Sequence, residues 1–70
     1  MNETEKLDIL LPRWVEHNES YIKTYVEWAN KLKGGELDEV GWKIEEATEI
    51  IFIANISFRE AKEMLNEKKA

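Results

Sequence analysis

The sequence predicts an all-α fold, a small antiparallel three-helix bundle made of a short N-terminal helix and a long helical hairpin. Three observations carry this expectation. Apolar residues recur at alternating spacings of three and four along most of the chain, Gly34-Gly35 interrupts the pattern once, and Pro12 punctuates it near the start.

The first element is expected over about residues 3–11. Asn2 with Glu5 three residues later resembles a capping box, and Leu7, Leu10 and Leu11 need a surface to cover. Proline suits the first turn of a helix, where its missing N–H costs nothing, and it pushes the preceding residue towards extended geometry. A second helix is therefore expected from Pro12 to about residue 33, with a single kinked helix across Pro12 as the competing picture. Its stripe runs through Leu11, Val15, Asn18, Ile22, Tyr25, Val26, Ala29 and Leu32.

Lys31 and Lys33 before Gly34-Gly35, and Glu36, Asp38 and Glu39 after it, match a helix end, a glycine cap and a helix start. The third helix is expected over about residues 36–67, on the stripe Leu37, Val40, Ile44, Ala47, Ile51, Ala54, Phe58, Ala61 and Leu65. Ala47, Ala54 and Ala61 would let a neighbouring helix approach closely. The segment from Ile50 to Ile56 is apolar around nearly its whole circumference, which one partner helix cannot bury. Either the N-terminal piece folds back as the third helix, which is the expectation, or two hairpins pair into a four-helix dimer around Phe52, Ile53 and Ile56.

Seventy residues make a single domain, 1–70. A chain this short buries only about 60% of its unfolded surface, which disfavours a deep catalytic cleft. It has no cysteine, so no disulfide or thiolate site supports it. Fifteen acidic and ten basic residues give a net charge of −5, with the cations dispersed among acids, so nucleic acid is not an expected partner. The longest near-apolar run, Ile50 to Phe58, is under half the ~20 residues of a membrane span. The polar start, Met1 to Lys6, is unlike a secretory signal, and a soluble cytoplasmic protein is expected. A charged fraction of 36%, rich in Glu and Lys and without Gln, matches the bias of hyperthermophile proteins.

Few residues offer chemistry. His17 is the only histidine, while Glu45 and Glu49 share a helix face without a Glu-x-x-His partner. Ser20 and Ser57 have no base to activate them, and no phosphate-binding loop is present. No catalytic residue, cofactor or metal ligand set is assigned, and an enzyme is not expected. Trp14, Tyr21, Tyr25 and Trp28 form an aromatic band at helical spacing. Together with Phe52, Ile53 and Ile56 they are the candidate partner surface.

The segment Leu10-Leu11-Pro12-Arg13-Trp14-Val15-Glu16-His17-Asn18-Glu19, with Trp28-Ala29 further on, resembles small uncharacterised helical proteins of archaea and anaerobic bacteria. Those proteins carry Leu-Leu-Pro-His-Trp-x-x-His-Asn-x-x-His, and the resemblance implies a metal-handling strip of three histidines. Arg13 and Tyr21 stand at the outer two positions here, and only His17 matches. The expected function is a non-enzymatic helical interaction module that binds a protein partner, or itself as a weak homodimer. The alternative is a metal-accessory protein handling nickel, cobalt or zinc through His17 and nearby carboxylates.

Overall fold

The computed structural model describes residues 2–69. Two helices, α1 (Glu3–Leu32) and α2 (Asp38–Lys69), run antiparallel as one hairpin whose Cα trace measures 53 × 17 × 12 Å. The all-α class holds, but the three-helix bundle does not. The expected helices 3–11 and 12–33 are one continuous helix, and Pro12 lies inside it.

Length explains this correction. A helix of 32 residues spans about 48 Å, and a partner starting at Pro12 would leave its C-terminal third bare. Continuing α1 through the proline forfeits the hydrogen bond that residue 12 would donate to Asp8. In return, Leu7 and Leu11 line a common groove with Ala61, Met64 and Leu65, and Asp8 pairs with Lys62 and Lys69.

Local signals set the ends. The Asn2 side chain accepts the Glu5 backbone N–H at 2.9 Å, and Glu3 and Glu5 occupy the positive end of α1. At the other end Lys33 caps the helix by donating its N–H to the Ala29 carbonyl at 3.2 Å. Gly34 follows at φ +84°, a left-handed conformation that glycine adopts without steric cost. The Gly34 N–H donates to Asp38 Oδ1, so the first residue of α2 also ties down the turn. α2 begins at Asp38, two residues later than expected.

The seam between the helices is a heptad pattern. From α1 it takes Asp8, Leu11, Val15, Asn18, Ile22, Tyr25, Ala29 and Leu32, close to the expected stripe. From α2 it takes Gly41, Ile44, Thr48, Ile51, Asn55, Phe58, Lys62 and Leu65. Here the expectation is corrected again. The Ile44, Ile51, Phe58 and Leu65 series faces α1 as expected, but its companion series is Thr48, Asn55 and Lys62, one position beyond the alanines.

Polar matching selects this phase. Asn55 is 2% exposed; it accepts from the Asn18 amide at 3.1 Å and donates to the Val15 carbonyl at 3.3 Å. Thr48 returns its hydroxyl to the Ile44 carbonyl at 2.8 Å. Among the described residues no buried side-chain nitrogen or oxygen lacks a partner. Near the turn the helices approach closely at Gly41, where a Cβ would stand 3.0 Å from the Ala29 carbonyl oxygen.

Candidate functional site

A two-helix hairpin has two broad faces, and here they differ in chemistry. Residues seven apart on a helix stack in one column. On one face, α1 presents the column Leu7, Trp14, Tyr21, Trp28, and α2 presents the column Val40, Ala47, Ala54, Ala61. The shared groove of Leu7 and Ala61 and the Trp14–Phe58 ring contact, centroids 6.0 Å apart, place the two columns on the same side. Tyr25 joins this face from the seam, stacked on Tyr21 at 6.2 Å. Ile50 and Met64 extend it at the outer edge of α2, and both are more than half exposed.

The opposite face carries ion pairs. Arg59 donates to Glu19, and Lys33 meets Glu45 at 2.9 Å. Lys33 also lies over the Trp42 ring, 4.2 Å from its centroid. Phe52 and Ile53 fall here and on the outer edge of α2, in a groove that Ile22 and Val26 share with Glu45 and Glu49. Ile56 lies one turn beyond Phe52 and is 41% exposed.

The structure therefore divides the sequence-derived partner surface. Trp14, Tyr21, Tyr25 and Trp28 come together on the first face. Phe52, Ile53 and Ile56 stand away from them, on the side with the carboxylates. What the sequence reading missed is that Ala47, Ala54 and Ala61 belong beside the aromatic column and not in the seam. Their seven-residue spacing was visible, but that spacing alone does not say which side of Ile44, Ile51 and Phe58 faces inward.

Charge sharpens the contrast. From Leu7 onward on α1, and from the start of α2 to Lys68, no Asp or Glu falls in the columns of the aromatic–alanine face or in the columns flanking them. The charged side chains there are Lys31, Lys43 and Lys68, with His17 also at the edge between Trp14 and Tyr21. Lys31 reaches over the Trp28 ring, 4.9 Å from its centroid. Lys43 donates to Glu46 at 2.8 Å, and that hydrogen bond raises its pKa above the usual lysine value.

At the far end, hydrogen bonds from Lys62 and then Lys69 hold the Asp8 carboxyl below its ordinary pKa. His17 is exposed, and among the described residues no group of three or more His, Cys, Asp or Glu is placed to hold a metal ion. No described helix is long and apolar enough to cross a membrane.

No curated protein and no solved structure matches the chain. A family model does: the domain of unknown function DUF8180 matches residues 7–65, from the first residue of the aromatic column to the last leucine of the α2 seam. The match spans both helices and the turn, and the chain belongs to that family.

Proposed function

We propose that this hairpin is a non-enzymatic helical interaction module whose contact surface is the aromatic–alanine face. The observation that carries the reading is the combination of large exposed rings with columns that hold no Asp or Glu from Leu7 to Leu32 of α1 and from Asp38 to Lys68 of α2, in a chain of net charge −5. Trp14 is 38% exposed, Tyr21 54% and Trp28 53%, whereas the hydrophobic side chains buried inside the hairpin are those of Leu11 and Ala29. A contiguous apolar face of this kind on a small domain marks a place where another surface sits. Aromatic residues supply the anchors of such contacts.

The groove at Phe52 and Ile53 is the weaker candidate. Glu45 and Glu49 line it, so a partner docking there must desolvate carboxylates.

A variant retaining Trp28 as its single tryptophan tests the reading through acrylamide quenching and sedimentation on the same samples. Quenching in a species of single-chain mass, or shielding confined to a heavier species, upholds it. Shielding of Trp28 in a particle of single-chain mass places the ring inside the fold and overturns it.

A further inference from the structure

We infer that the occupant of the aromatic–alanine face is a second copy of the same chain, related by a two-fold axis parallel to the helices, so that α1 of each copy lies on α2 of the other. The inference rests on the reading of that face as a contact surface and names what covers it.

Height matching is the first argument. Asn18 stands level with Asn55 and Trp14 with Phe58, and in an antiparallel hairpin seven residues up α1 correspond to seven residues down α2. Trp14 therefore stands within about two residues, roughly 3 Å, of the height of Ala61. The same offset relates Tyr21 to Ala54 and Trp28 to Ala47. At three levels the face thus offers one large ring on α1 and one methyl group on α2, side by side. A two-fold axis along the hairpin exchanges the columns without changing height. Each ring then meets the recess over the partner's alanine, at all three levels at once. An axis across the helices would instead set ring against ring and leave the alanine columns opposed across a gap.

Charge is the second argument. Two chains meeting through this face cover columns that hold no Asp or Glu, whereas the other face would have to cover Glu16, Glu45, Glu49 and Glu63. Size is the third. A face bounded by the 53 and 17 Å extents offers on the order of 800 Å² per copy, the area that a stable two-chain interface requires. The product is an antiparallel four-helix bundle with a core of rings and alanines between two seams.

The chain has no cysteine, so engineered thiols report proximity on a clean background. Sedimentation of the intact chain should give twice its mass of 8.3 kDa. Under mild oxidation the double variant Tyr21→Cys/Ala54→Cys should run as a covalent dimer on a denaturing gel, while Tyr21→Cys alone should not. Ala54→Trp, which fills the recess, should raise the dimer dissociation constant by roughly a hundredfold, and Lys23→Ala on another side should leave it unchanged.

A covalent dimer of Tyr21→Cys alone overturns the arrangement. A species of single-chain mass at millimolar concentration with Trp28 open to quencher overturns self-association and leaves the contact-surface reading standing. The same mass with Trp28 shielded removes both.

Discussion

The side-chain amide of Asn18 donates to the amide oxygen of Asn55 at 3.1 Å, joining the middles of the two helices through a contact of low exposure. Polar pairs at such seam positions set register and cost stability relative to apolar ones. Asn55→Ala leaves the Asn18 amide without its acceptor and is expected to destabilise the fold by about 1–3 kcal/mol in urea unfolding. Asn18→Leu with Asn55→Leu should recover that loss, because both partners become apolar together. The recovered variant should also populate more than one assembly in sedimentation.

Pro12 offers a test with the opposite sign. Inside α1 it removes a hydrogen bond to Asp8 and its ring crowds the Asp8 carbonyl, a penalty of about 3 kcal/mol in a helix interior. Pro12→Ala should therefore raise the thermal midpoint, with a gain of up to about 3 kcal/mol. An unchanged or lowered midpoint would instead mark Pro12 as the first residue of a separate helix.

The two glycines near the turn should respond through different mechanisms. Gly34→Ala forces a Cβ into the left-handed region and should cost about 1–2 kcal/mol, although the space around it is open. Gly41→Ala meets backbone: its Cβ would lie 3.0 Å from the Ala29 oxygen and 3.1 Å from the Leu32 Cβ. Overpacking there should cost about 1–3 kcal/mol and push the helices apart at the turn end, which is measurable as faster amide exchange around Ala29.

Asp8 makes the far end of the hairpin sensitive to acid. Its carboxyl titrates below the ordinary aspartate value because Lys62 and Lys69 donate to it. A depressed folded pKa gives stability that is present above the unfolded value and lost as pH falls through the folded one. Wild type should therefore lose this contribution as pH drops below about 4, and Asp8→Asn should be weaker near neutrality while converging on wild type in strong acid. Both legs are read from the pH dependence of the urea midpoint.

Much of the fold was legible because its signals are local. Asn2, the Lys31–Gly35 stretch and the acids after it define helix ends within a turn of chain, and the structure puts the ends within two residues of them. Pro12 misled because its preference for a helix start is real, and only the length of α2, expected at residues 36–67, argues for a longer α1. The phase of α2 was ambiguous for a different reason. Ile44, Ile51, Phe58 and Leu65 belong equally to a seam with Ala47, Ala54 and Ala61 or to one with Thr48, Asn55 and Lys62. Hydrophobicity prefers the alanines. The match of Asn55 to Asn18, and of Lys62 to Asp8, decides for the polar set, and such cross-helix pairs become visible only once the helices are aligned. The aromatic residues of the candidate surface were recognisable by type, but their separation from Phe52, Ile53 and Ile56 followed from that same phase.

The turn at residues 33–37 bears on how such a chain finds its proper neighbours. With Gly34 preset in the left-handed region, α2 is delivered to α1 at an effective concentration in the millimolar range, far above that of free copies in dilute solution. Local closure of this kind is also rapid compared with encounters between molecules. Each chain should commit α1 to its own α2 before meeting another chain, which protects the helices from being traded between molecules. Lengthening the turn with a flexible insert would erode that advantage, and exchange of helices between chains is the error it should introduce.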